Sequence, residues 1–176
     1  ARDLKVSAWC QHQGVRWQEY PQFGVIRGLK NRNLWQPNWE RHMAEPLHEL
    51  GVLEFWQAPT RSLITRSWCT PAQMRNPKHL RHDPPFRQRG GRPLGLATLH
   101  SFLHARSLGY RGGISSPLSA PDACSRLSAY LAWGCISLRE VVQQTRAHIT
   151  HLPPNARRHR AGLSAFISRL YWHCHF

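Results

Sequence analysis

Hydrophobic positions recur at helical spacing in four successive segments of the C-terminal half. The first lies around Leu96 and Leu103, the second covers residues 125–133, the third follows Ser137, and the fourth approaches Cys174. Apolar side chains three and four positions apart lie on one face of an α-helix. The pattern therefore predicts that residues 92–176 are entirely helical.

Local signals mark the ends of two of these helices. Gly134 follows the second segment, and glycine is common just beyond a helix end. Ser137 and Glu140 have the spacing of a capping box, in which each side chain accepts a hydrogen bond from the other residue's backbone N–H. We expect one helix to end before Gly134 and the next to begin after Ser137.

The N-terminal residues show a helical pattern followed by an alternating one. Leu4 and Trp9 fit a helix, and the alternating run from Val15 to Tyr20 after Gly14 predicts a strand. A helix followed by a strand is the repeating unit of α/β domains. Together these patterns predict a short α/β remnant.

Proline interrupts the pattern between these two regions, where residues 38–50 are the best helical candidate. The predicted organisation is mainly α. Residues 1–25 would end an α/β domain, residues 26–91 would form an irregular linker, and residues 92–176 would be part of a helical domain.

The composition favours a polyanionic partner. The 176 residues include 24 Lys and Arg against 9 Asp and Glu, a net charge of +15, and nucleic acid is the leading partner class. The alternative is that a segment inherits the basic face of a better balanced protein. The start at Ala1 and the end at Phe176 within an apolar pattern suggest a segment of a longer chain.

Neither a membrane span of 18 apolar residues nor a signal peptide is visible, so we expect a soluble, intracellular, cytoplasmic and monomeric protein with no membrane partner. Five cysteines without paired spacing indicate reduced thiols. Only His173, Cys174 and His175 cluster, on consecutive helical positions that point in different directions, so no metal site is expected.

The segment from Tyr110 to Ser128 is a candidate anion site. A loop with glycines and prolines leads to the run Cys124 to Ser128, where small hydroxyl residues would begin a helix. Free N–H groups at a helix start can hold phosphate. Serine also begins helices as a simple cap, and this alternative stays open.

Three strings in this region carry a family resemblance. "GGRPLGLATLHSFLHARSLGY", "CSRLSAYLAWGCISLREV" and "AFISRLYWHCHF" occur in that order. They resemble the opening half of the FAD-binding helical domain of DNA photolyases and cryptochromes, over residues 88–176. "WQEYPQFGVIRGLKNRNLW" resembles, less specifically, the join to the α/β antenna domain that precedes it.

The resemblance implies roles for matching residues. Phe166 would lie beside the cofactor, and Trp172 would face the pocket for a flipped pyrimidine dimer, with a core position as the alternative. Arg169 and His173 would lie at the DNA side, although the family usually has Glu and Arg there, which leaves the lesion open. The residues that would contact the diphosphate and ribitol of FAD are Tyr110, Cys124, Ser125, Arg126, Leu127 and Ser128.

The resemblance also implies a reaction. Reduced FAD would absorb blue light and donate an electron to a pyrimidine dimer in damaged DNA, and a missing N-terminal domain could hold an antenna pigment. The remaining flavin contacts would lie beyond Phe176, so the segment is expected to be inactive alone. Two alternatives are a cryptochrome photoreceptor and a basic, non-enzymatic nucleic-acid-binding piece.

Overall fold

The computed structural model describes residues 2–20, 26, 28–48 and 87–175, and within these ranges the regular structure is helical. Short 3₁₀ turns, Arg32–Leu34 and Arg106–Gly109, precede the second helix and follow the third. The prediction of a helical C-terminal half is confirmed for residues 92–175. The α-helices are α1 Arg2–His12, α2 Trp35–Ala44, α3 Arg92–His104, α4 Tyr110–Gly113, α5 Ala120–Ala123, α6 Ser128–Ala132, α7 Leu138–His151 and α8 Arg157–His175.

The N-terminal strand is a wrong prediction. The chain after α1 contains no strand among the described residues, and Val15, Trp17 and Tyr20 are exposed. A strand requires hydrogen bonds to a neighbouring strand, which alternation along the sequence cannot supply by itself. The described part of the predicted α/β remnant is therefore one helix and a segment without regular secondary structure.

Helix α2 lies earlier than predicted, at Trp35–Ala44 instead of residues 38–50. Pro46 explains the early end, because a residue before proline avoids helical geometry. Glu45 accordingly has φ −59° and ψ 148°. Most of the predicted linker, residues 49–86, lies outside the described residues.

Helix α2 packs against α7 and α8 through a buried face and charged edges. Trp39 is fully buried, and its ring centroid lies 4.1 Å from that of Tyr171 on α8. Arg146 on α7 forms an ion pair with Glu40 at 2.6 Å. Residues of the predicted linker thus contribute directly to the helical core.

The core lies between α3, α7 and α8 and requires one very close backbone approach. Gly162 on α8 lies against the carbonyl group of Ser107, where a Cβ atom would overlap the carbonyl oxygen. The fully buried apolar side chains on these helices and their connections include Leu99, Phe102, Leu127, Ile136, Leu138, Val141, Val142 and Leu163.

The predicted helix ends near Gly134 and Ser137 are confirmed. Gly134 has φ +65°, its N–H donates to Leu131, and the Cys135 N–H donates to Tyr130, which is a Schellman motif. The Ser137 hydroxyl accepts from the Glu140 N–H at 3.0 Å. The predicted hydrogen bond from the Ser137 N–H to the Glu140 carboxylate is wrong, because that carboxylate binds Arg92 instead.

Arginine side chains hold several carbonyl groups at the ends of helices. Arg160 donates to the carbonyl oxygens of Ile149 and Leu152, both at 3.1 Å, at the end of α7. Arg158 donates to Leu108 at 3.0 Å. Carbonyl groups at helix ends lack the full set of N–H partners found in a helix interior, so the guanidinium groups add hydrogen bonds there. The Ile149 carbonyl also accepts from the Leu152 N–H at 3.3 Å. Among the described residues, no helix is long and apolar enough to cross a membrane.

Candidate functional site

The loop before α6 is held in place by Arg106. Its guanidinium donates to the carbonyl oxygen of Cys124, to that of Ser125 at 3.2 Å, and to that of Thr98 on α3 at 2.9 Å. Burial lowers the pKa of Arg106, and the nearby positive charge of Arg126 lowers it further. Two cations therefore lie close together at this loop.

The backbone of the loop is not helical before Ser128. Cys124 is extended, with φ −69° and ψ 154°, and Arg126 has φ 57°, in the left-handed region. Helix α6 is Ser128–Ala132 and not residues 125–133, because a left-handed residue cannot continue an α-helix. The amides of Ser125 and Leu127 thus belong to the loop and not to the first turn of a helix.

Two of these amides lack a hydrogen-bond partner and belong to residues with exposed surface. The N–H groups of Ser125 and Ser128 donate no hydrogen bond in the described part of the chain, and the Ser128 side chain is exposed, whereas Leu127 is buried. Gln88 holds the loop from the other side by donating to the Arg126 carbonyl at 2.8 Å. A polar, electropositive loop with unused N–H groups can accept an anion.

Tyr110 and Phe166 pack together in the core. With Phe102 they form a group of edge-to-face rings, with centroid distances of 4.6 Å for Phe102–Phe166 and 5.7 Å for Tyr110–Phe166. Burial raises the pKa of the Tyr110 phenol, Cys124 raises it further, and Arg169 opposes this. Cys124 and Arg169 therefore both lie within electrostatic range of Tyr110.

Trp172 lies at the surface beside Arg169. The Arg169 guanidinium carbon is 4.8 Å from the centroid of the Trp172 ring, and Trp172 is 54% exposed. The alternative of a core tryptophan is wrong. His173 is also exposed, whereas its neighbour Cys174 is buried, which raises the pKa of that thiol.

The structure thus brings most of the candidate residues into two groups. Arg169 lies over the Trp172 ring of one group and within electrostatic range of Tyr110 in the other. The first group combines the loop of residues 124–128 with Tyr110 and Phe166, and the second is the exposed Trp172 and its neighbour His173. Leu127 and Phe166 are enclosed side chains, 1% and 2% exposed, so their roles in this arrangement are structural.

Two features were missed in the sequence. Arg106 carries no local signal of its contacts with the loop, because its acceptors Cys124 and Ser125 lie 18 and 19 positions away. The second feature is a set of histidines on α3, α7 and α8. The only sequence signal for it was the four-residue spacing of His100 and His104, which places both rings on one face of a helix.

No group of three or more His, Cys, Asp or Glu side chains in the described part of the chain could hold a metal ion. The cysteines described there, Cys10, Cys124, Cys135 and Cys174, are free thiols, and Cys69 lies outside the described residues.

No family model matches the chain, and comparisons with curated proteins and with solved structures also give no match. The functional argument therefore depends on the residues themselves.

Proposed function

We propose that the chain is a segment of a flavin-dependent DNA photolyase, a lyase that repairs pyrimidine dimers with light. The observation that carries the proposal is the position of Arg169. It lies over the exposed Trp172 ring and within electrostatic range of the buried Tyr110. Arg169 therefore supports the proposal by connecting the exposed residue assigned to DNA with the buried side chains next to the loop assigned to flavin.

In this proposal the diphosphate of FAD binds the loop before α6 and not a helix start. The amides of Ser125 and Ser128 have no partner in the described ranges, and Arg106 and Arg126 provide positive charge. Unused N–H groups and nearby cations are what a diphosphate requires. Bound and reduced FAD would supply the electron for repair.

The aromatic residues of the proposed flavin site act from within the core. Tyr110 and Phe166 are nearly enclosed, so in this proposal they fix α8 against the turn before the loop. Leu127 has the same role beneath the loop, where it is 1% exposed. The contacts to FAD are then assigned to the main chain of residues 124–128 and to the Ser128 hydroxyl.

Trp172 is suited to stack on an unpaired base. Its ring is exposed, and Arg169 on one side supplies a cation for the adjacent phosphate or for a second stacking layer. Enzymes that act on a base within DNA bind it after it has left the helical stack, and aromatic side chains hold it there. The net charge of +15 would attract the DNA strand.

The second candidate is a non-enzymatic nucleic-acid-binding segment. The exposed Trp172 and the positive charge favour it as well, because stacking and phosphate attraction require no flavin. The presence of bound flavin and the need for light distinguish the two functions.

The test uses the longer protein that contains this segment, purified with its flavin and reduced. It is mixed with an oligonucleotide that carries a thymine dimer, and dimer loss is measured under blue light and in the dark. We expect light-dependent repair, and we expect Trp172→Ala to reduce both repair and binding of the damaged strand. Trp133→Ala is the matched control, because Trp133 is also exposed, at 85%, and lies outside the proposed site.

The outcomes separate the candidates. Bound flavin without repair would indicate a cryptochrome-type photoreceptor. Binding of DNA by a protein without flavin, equal in light and dark, would support the second candidate and contradict the photolyase proposal.

A further inference from the structure

Four histidine rings from three helices contact one another in a continuous series, which we name the histidine cluster: His100, His104, His148 and His159. His100 and His104 on α3 stack with ring centroids 3.9 Å apart. His104 meets His148 of α7 at 4.4 Å, and His148 meets His159 of α8 at 5.3 Å. The cluster therefore lies where α3, α7 and α8 pack together.

Hydrogen bonds fix two of the rings. Nδ1 of His104 lies 2.9 Å from the His100 carbonyl oxygen, and Nε2 of His159 lies 2.6 Å from that of Leu103. A nitrogen that faces a carbonyl oxygen must carry the proton and donate it. The His159 bond joins α8 directly to the last turns of α3.

His148 is the central ring and has no such support. Its Nε2 atom is buried and has no hydrogen-bond partner in the described part of the chain. A protonated imidazole carries hydrogen on both nitrogens, so protonation would leave a buried donor unsatisfied at this position. Neutral His148, with a lone pair on Nε2, avoids that cost.

The described groups that shift the pKa of His148 electrostatically are all histidines. Burial lowers the pKa of His148, and positive charge on His104, His159, His151 and His100 lowers it further. Among the described residues, no carboxylate acts on it.

Two arginines on α8 lie near the same junction. Arg158 binds the Leu108 carbonyl, and Arg160 binds the carbonyl of Ile149, the residue after His148. Added protons would thus enter a region that already contains cations.

We propose that the histidine cluster is an acid-sensitive contact, which holds α3, α7 and α8 together when its rings are neutral and weakens the packing of α7 against α3 and α8 when His148 is protonated. This inference goes beyond the proposed function and does not depend on flavin or DNA.

The direction of the pH effect follows from linkage. The pKa of His148 is lowered in the folded chain, so the unfolded chain binds its proton more readily. The stabilising contribution is fully present above the ordinary histidine pKa of about 6.5 and is lost as pH falls from there through the folded-state pKa.

The experiment compares the 176-residue chain with its His148→Phe variant. Phenylalanine keeps an aromatic ring between His104 and His159 and cannot be protonated. Thermal unfolding is followed at about pH 8 and about pH 5, which bracket the histidine range. The Tm of the unmodified chain should fall more between these values than that of the variant, by on the order of a few degrees. His12→Phe on α1 is the matched control, because His12 takes no part in the ring contacts, and it should retain the full fall.

A direct NMR titration of His148 in the unmodified chain keeps the proposal testable if the variant does not fold. A pKa for His148 at or above that of a free histidine would overturn it. Equal losses of Tm in the chain and in a folded His148→Phe variant would overturn it as well. So would a large stabilisation by zinc at neutral pH that requires His148, because the cluster would then be a metal site.

Discussion

Arg92 and Glu140 form a two-point ion pair between the first turns of α3 and α7. The two terminal nitrogens of Arg92 lie 2.7 and 2.8 Å from the two carboxylate oxygens of Glu140, whose side chain is 8% exposed. A buried carboxylate that loses its partner keeps its desolvation cost. Arg92→Gln should therefore lower the Tm.

The double variant Arg92→Gln with Glu140→Gln provides the control for this pair. It removes the buried charge together with its partner, so its Tm should lie above that of Arg92→Gln alone. Thermal unfolding by circular dichroism measures both. A double variant that is less stable than the single one would show that Glu140 is stabilised by other groups.

Arg106 should be required for the shape of the loop before α6. Lysine keeps the charge but cannot reach the carbonyl groups of Thr98, Cys124 and Ser125 together, because it lacks the planar guanidinium. Arg106→Lys should lower the Tm and increase amide hydrogen exchange at Cys124 and Leu131, whose N–H groups are hydrogen-bonded to Ala120 and Leu127 at the two ends of the loop. Arg111→Lys, at an exposed position, should change neither property. Unchanged exchange in Arg106→Lys would mean that the loop is held by other contacts.

Gly162 should not tolerate a side chain. Helix propensity alone would favour alanine at this position by about 1 kcal/mol. The added Cβ would overlap the Ser107 carbonyl, and forcing atoms into a packed core typically costs about 1–3 kcal/mol. We expect Gly162→Ala to lower the free energy of unfolding in a urea titration. Gly90→Ala, where a Cβ would meet nothing within 4 Å, should be nearly neutral.

Ser128→Glu tests the proposed diphosphate contact in the longer, flavin-containing protein. Ser128 is exposed at the first position of α6, where a carboxylate is compatible with the helix. The new negative charge should repel the diphosphate and remove the bound flavin, measured as loss of yellow absorbance. Ser164→Glu, also at an exposed serine but on α8, should keep the flavin. A folded Ser128→Glu protein with full flavin content would contradict the assignment of this loop.

The sequence predicted the long helices better than the contacts between them. Helices α3, α7 and α8 follow from apolar spacing, because burial of one face dominates their stability. The Arg92–Glu140 pair spans 48 positions, and the spacing of Ser137 and Glu140 indicated a local partner for the same carboxylate. The Glu140 carboxylate can either complete the capping box with Ser137 or bind Arg92, and only the tertiary packing decides between these two contacts.

In the candidate site as well, some features follow from the sequence and others depend on the tertiary structure. Leu127 and Phe166 are apolar residues with ordinary helical spacing, and the structure buries both in the core. The exposure of Trp172 agrees with helical spacing, because Leu170 and Cys174 are buried and a residue two positions from each lies on the opposite face of the helix. The left-handed Arg126 shortened the expected helix, and arginine is not a residue that signals this geometry.

The arginines that bind carbonyl groups attract a DNA strand at long range but have few donors left for direct contact with its phosphates. Arg106, Arg158 and Arg160 contribute fully to the net charge of +15, which governs how fast an anionic strand approaches. Their donors, however, already face the main chain and are less available to phosphates. A plot of the logarithm of affinity against the logarithm of salt concentration reports the number of phosphates that the protein neutralises. On duplex DNA each neutralised phosphate contributes about 0.9 to the steepness of this slope. That slope should therefore be much smaller than the net charge suggests, while the association rate should still reflect the whole field.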